Sequence, residues 1–121
     1  MFYRSDDTVE LKVTEKIETI EEKIARYSEM YGVPYSRIYN TIECETAHTF
    51  DTNIQSNLRY DFSSKKRGIV LGEREQSYGL AQIHLPDHPE VTIEQATNPD
   101  FAIEFMAKNM SLGRKWWYCD K

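Results

Sequence analysis

Residues 34–47 read Pro-Tyr-Ser-Arg-Ile-Tyr-Asn-Thr-Ile-Glu-Cys-Glu-Thr-Ala, and the reading of this stretch decides the fold. Proline suits the opening of a helix, because its fixed φ is already helical and its missing N–H would have no partner there. Tyr35, Ile38 and Ile42 recur at steps of three and four, which lays one apolar stripe along a helix ending near His48. Glu45 continues that stripe, three residues beyond Ile42 and seven beyond Ile38, whereas Glu43 is turned by about 100° from Ile42. Burial and the partial negative charge of a helix C-terminus both push such a carboxyl toward its neutral form. An acid that keeps its proton near neutral pH is what glycoside cleavage requires. Glu45 is therefore the candidate catalytic carboxylate, and the structural alternative is a helix-end glutamate paired with a surface lysine or arginine.

Upstream, Val9, Val13, Ile17, Ile20, Ile24 and Tyr27 recur at helical spacing and predict an amphipathic helix over residues 8–31. Asp7 with Glu10 supplies a capping box, and Gly32 before Val33-Pro34 supplies a stop. Downstream, the polar run from Thr49 to Lys66 predicts loop, and residues 60–62 and 69–71 flank a turn suited to a small hairpin. Residues 77–84, Ser-Tyr-Gly-Leu-Ala-Gln-Ile-His, read as a short buried helix. The two prolines of residues 84–90 enforce irregular chain, residues 92–96 suggest a turn or two of helix, and Asn98-Pro99-Asp100 caps a helix over residues 101–112 that Gly113 closes. Trp116, Trp117 and Tyr118 are too aromatic for a free end and are expected to dock. The fold class is thus mainly α, a helical bundle around a central catalytic helix with a small β-hairpin, in one domain spanning residues 1–121.

Composition narrows the function classes. A chain of 121 residues, 40% hydrophobic and 29% charged, fits one compact domain with a cleft. A net charge of -5 offers no basic footprint for nucleic acid, whose binding rests on neutralising phosphates. No run approaches the roughly 20 apolar residues of a membrane span, and the first residues, Met-Phe-Tyr-Arg-Ser-Asp-Asp, lack the apolar stretch of a signal peptide. His48, His84 and His88 have no metal-ligand spacing, no serine sits in a nucleophile-elbow context, and no cofactor is expected. Cys44 and Cys119 either form a disulfide, which an oxidising compartment allows, or remain two separate buried thiols. Trp116 and Trp117 are either core anchors or platforms for sugar rings.

Glu45-Thr46 closing an amphipathic helix, followed after a polar loop by Ser77-Tyr78-Gly79-Leu80-Ala81-Gln82-Ile83, resembles the soluble lytic transglycosylases and their goose-type lysozyme relatives. In that family a Glu-Ser pair ends the catalytic helix and a Gly-Leu-x-Gln-Ile segment forms the opposite side of the cleft. Here Thr46 keeps the hydroxyl of the serine. The likeness runs in element order from about Ile24 to Trp117 and implies a lysozyme-like fold and peptidoglycan glycan strands as the partner. It further implies that Glu45 protonates the oxygen between N-acetylmuramic acid and N-acetylglucosamine, then acts as base toward the muramic C6 hydroxyl to give a 1,6-anhydro end. Thr46, Ser77, Tyr78, Gln82 and His84 would bind substrate. The goose-type relatives imply instead a hydrolase in which acids opposite the glutamate position a water. Glu73 is the nearest match to one of them, and His84 stands where the other would be. A silent glycan-binding module is a third reading. The substrate implies action outside the cytoplasm, in the periplasm, at the cell surface or after phage release, as part of a larger secretion or virion assembly or as a phage lysin.

Overall fold

The computed structural model describes residues 17–121. Helix α1 spans Ile20–Tyr31, α2 spans Tyr35–Glu45, a short hairpin pairs β1 (Ser77–Tyr78) with β2 (Ile83–His84), and α3 (Ile93–Ala96) leads into α4 (Pro99–Ser111). A single 3-10 turn, Leu85–Asp87, lies between β2 and α3. Among the described residues no helix is long and apolar enough to cross a membrane. The molecule is mainly helical with one small antiparallel sheet.

The helix predicted over residues 8–31 is interrupted at residues 17–19, and its part before residue 17 lies outside the described residues. Helix α1 begins at Ile20, and Ile17 is 93% exposed, outside the core. Thr19 stops it from extending backward: its hydroxyl accepts from the Glu22 N–H while the Glu22 carboxylate accepts from the Thr19 N–H, a reciprocal cap that turns the chain out of helical geometry. The predicted cap at Asp7 and Glu10 lies outside the described residues. Gly32 ends α1 with φ 67°, a left-handed conformation that glycine adopts without a β-carbon penalty.

In α2 the buried face consists of Ile38, Thr41 and Ile42, and Tyr35 lies at its margin, 37% exposed. These side chains join Ile24 and Tyr27 of α1, Leu80 and Ile83 of the hairpin and Ile103, Met106 and Met110 of α4 in one core. The central position of α4 follows from its sequence. Asn98 caps it by accepting from the Phe101 N–H, Pro99 opens it, and its buried positions from Ala102 to Met110 are apolar except Asn109, whose amide donates to the Phe105 carbonyl.

Residues 77–84 are a β-hairpin and not the helix predicted from their sequence. Ser77 pairs with His84 and Tyr78 with Ile83, and a bridge between Gln55 and Tyr78 extends the pairing on the other side. Gly79 at φ 78° and Gln82 at φ 44° set the tight turn. Leu80 and Ala81 at its tip are fully buried, so an apolar run that imitates a helix face is a turn pushed into the core. The hairpin predicted over residues 60–62 and 69–71 forms as a looser pairing. Ser64 bridges Ile69, Arg59 bridges Arg74, and Tyr60 exchanges backbone bonds with Gly72 and Glu73.

Cys44 and Cys119 form a disulfide with Cα atoms 5.9 Å apart. Closing a loop of this length stabilises the native state by about 4 kcal/mol in the chain-entropy account.

A β-carbon on Gly79 would overlap the Ala96 carbonyl oxygen at a backbone angle that L-residues avoid. Gly79→Ala is therefore expected to lower unfolding free energy by about 3 kcal/mol in urea titrations. A change below about 1 kcal/mol would show that the hairpin does not press on α3 as described.

Candidate active site

The cleft begins where α2 ends. Glu45 is the last residue of the helix, and its carboxylate, half-buried, faces a cavity of about 660 Å³. The turn that follows is unusual: Ala47, His48 and Phe50 all have positive φ, at 53°, 67° and 52°. Non-glycine residues hold this conformation only where their surroundings over-determine it. Thr46 supplies that restraint. Its buried hydroxyl donates to the Ile42 carbonyl at 2.9 Å and accepts from the Phe50 N–H at 3.1 Å. Phe50 in turn packs on Tyr39.

Burial is the main cause that raises the Glu45 carboxyl above the ordinary glutamate range. The Cys119 N–H, donating to Oε2 at 3.2 Å, opposes the shift, and the nearby negative charge of Glu75 adds to it. Among the described residues no lysine or arginine pairs with Glu45, whereas Glu43 points away and meets His48 at 3.6 Å.

Opposite Glu45, Ser77, Gln82 and His84 line the cleft. Gln82 is fixed by two bonds from its amide, to the Gly79 carbonyl at 2.9 Å and the Ile54 carbonyl at 3.3 Å. His84 is held from both sides. Its Nδ1 meets the Asp87 carboxylate at 2.8 Å, and an ionised carboxylate only accepts, so Nδ1 carries the proton. Nε2 meets the Tyr60 hydroxyl at 2.9 Å, and that hydroxyl accepts from the Gln76 N–H. Asp87 is also paired with Arg67 at 2.6 Å. Burial pushes the Asp87 carboxyl up, but the His84 and Arg67 bonds together hold it below the usual carboxylate range.

No family model, curated protein or solved structure matches this chain.

Three sequence-predicted positions lie elsewhere. Thr46 is fully buried in the turn after α2, and its hydroxyl is consumed by backbone partners, so it faces no ligand. Tyr78 alternates away from Ser77 along β1 and packs against the core. Glu73 is exposed and lies outside the cleft wall, because it belongs to the turn that closes the Tyr60 pairing. Glu75, two residues on, is where the chain leaves that turn, and it lines the cleft. Sequence reasoning also missed Asp87, whose signal was a carboxylate three residues after His84, whereas the tail docks as its aromatic content suggests. Trp117 is buried, with its indole N–H donating to the Ala81 carbonyl at 2.6 Å, while Trp116 and Tyr118 present exposed rings at the cleft.

Because Thr46 bridges two backbone groups, Thr46→Val is expected to cost about 1–3 kcal/mol of stability by leaving the Phe50 N–H unpaired, and Thr46→Ser to restore most of it. Chemical denaturation reads this directly. A substrate role would instead weaken glycan binding in a protein of unchanged stability.

Proposed function

We propose that this protein is a peptidoglycan-cleaving glycosidase of the lytic transglycosylase type, a lysozyme-like domain built around Glu45. The observation that carries the reading is the setting of Glu45, half-buried at the end of α2 and facing the 660 Å³ cleft, with a carboxyl raised mainly by burial. An acid in that setting keeps its proton toward neutral pH and can deliver it to a glycosidic oxygen. As the bond between C1 of N-acetylmuramic acid and that oxygen breaks, the muramic C6 hydroxyl attacks C1. The hydroxyl proton passes to the Glu45 carboxylate, so the acid is regenerated and the product carries a 1,6-anhydro ring. No second carboxylate and no water are consumed.

Ser77, Gln82 and His84 provide polar atoms opposite Glu45, and the exposed rings of Trp116 and Tyr118 suit the apolar faces of sugars. The disulfide fits a protein that works outside the cytoplasm, where its substrate lies.

One observation favours a second reading, hydrolysis of the same bond. Glu75 lines the cleft, and its charge is felt at Glu45. Two carboxylates with room for a water between them define an inverting glycosidase. Glu75, rather than Glu73, would then position the nucleophilic water.

Glu45→Gln is expected to reduce clearance of peptidoglycan suspensions at least 100-fold while glycan binding persists. Unchanged clearance would remove the proposal and leave a binding module. The wild-type rate should fall as pH rises through the raised Glu45 value, because the ionised carboxylate has no proton to give. Mass spectrometry of the digest separates the two reactions. Anhydro ends and an active Glu75→Gln variant support the transglycosylase, whereas reducing ends and a Glu75→Gln variant without activity support the hydrolase.

A further inference from the structure

The segment over residues 117–120 touches both walls of the cleft. At one end the buried Trp117 indole is bonded to the carbonyl of Ala81, in the turn between β1 and β2. At the other end Asp120, its side chain fully buried, accepts from Arg37 Nε at 2.9 Å and Nη2 at 2.8 Å, and Arg37 lies on α2. Between these anchors Cys119 is bonded to Cys44, the residue immediately before Glu45, and its own N–H donates to the Glu45 carboxylate. Trp117, Tyr118 and Cys119 all line the cleft beside Glu45. Of the two cysteines, Cys44 is exposed and Cys119 half-buried.

We infer that residues 117–120 are a redox-latched strap that completes the Glu45 site, with the Cys44–Cys119 disulfide holding the Cys119 N–H on the carboxylate. Cys119 and Asp120 are positioning residues, acting through Glu45. Reduction by a dithiol transfers two electrons and two protons to the disulfide, giving two thiols while the reductant closes to its own cyclic disulfide. The strap then depends on the Trp117 bond, the packing of Trp117 on Phe105 and the pairing of Asp120 with Arg37 and Lys115, and water enters beside Glu45.

The consequence for Glu45 has a definite sign. Opening the strap removes burial, which raises its pKa, and the Cys119 N–H, which lowers it, and burial is the larger of the two. The other titratable groups facing the cleft are Glu75 before β1, His84 on β2, Asp87 and His88 at the 3-10 turn, and Tyr118 on the strap itself. Of these Glu75 raises the Glu45 value, and entering water screens that repulsion too. The carboxyl therefore returns toward the ordinary glutamate range on reduction.

This inference rests on the glycosidase reading for its effect on rate, and on geometry alone for its effect on titration. The test is a carbon-13 NMR titration of the glutamate side chains, with Glu45 assigned by Glu45→Gln, on oxidised protein and on protein held in dithiothreitol. Peptidoglycan clearance is followed over the same pH range. Reduction is expected to lower the Glu45 midpoint by half a pH unit or more, to move the alkaline limb of the rate profile with it, and to cut turnover at pH 7 at least tenfold, all reversed by reoxidation. An unchanged midpoint in reduced protein that retains its far-UV circular dichroism would overturn the inference. If reduction unfolds the chain, Arg37→Gln with the disulfide intact replaces it: the same downward shift supports the strap, and an unshifted midpoint overturns it. Oxidised protein that clears no peptidoglycan while its Glu45 midpoint still falls on reduction would remove the glycosidase reading and keep the strap.

Discussion

A carboxylate placed half in water and half in protein is costly unless something fixes how much of each it meets, and in this molecule the Cys119 N–H bond to Glu45 is that something. The helix brings Glu45 to the cleft because Ile38, Thr41 and Ile42 must face the core, and three residues further on the same stripe reaches the surface. The tail then covers it from the other side. Neither partner alone makes the site. Without α2 the acid has no fixed direction, and without the tail it is an ordinary solvated glutamate at a helix end.

The same economy governs the opposite wall. Gly79 and Gln82 adopt left-handed angles so that Leu80 and Ala81 can enter the core, and the buried Ala81 carbonyl left by that turn is what the Trp117 indole reaches. The polar groups aimed at the cleft are each held by a second partner, Gln82 by two carbonyls and His84 by Tyr60 and Asp87. Such restraint keeps side chains in place before a ligand arrives.

Local periodicity carried what it could. The stripe of α2, the Asn98 cap of α4 and the position of Glu45 on a buried face were legible, because each is a relation among residues fewer than eight apart. The start of α1 was not, since Thr19 and Glu22 form a cap inside a stretch whose apolar spacing continues through Ile17. Residues 77–84 misread as helix for a related reason: their apolar content reflects burial, and only the left-handed angles at Gly79 and Gln82 reveal a turn. Thr46 looked like a ligand contact because its hydroxyl was visible in sequence and its two backbone partners were not. Glu75 and the tail became part of the site through contacts tens of residues long, Asp87 through both a local bond to His84 and a distant pair with Arg67, and the disulfide spans 75 residues. No pattern of local spacing encodes the distant ones.

The central claim is that Glu45 gives its proton to a glycan lying in this cleft. The most direct measurement is the crystal structure of the Glu45→Gln protein bound to a peptidoglycan tetrasaccharide. A scissile glycosidic oxygen is expected within about 3 Å of the side chain at position 45, with sugar rings against Trp116 or Tyr118. A glycan bound elsewhere, or one whose glycosidic oxygens all lie beyond hydrogen-bond reach of that side chain, would contradict it.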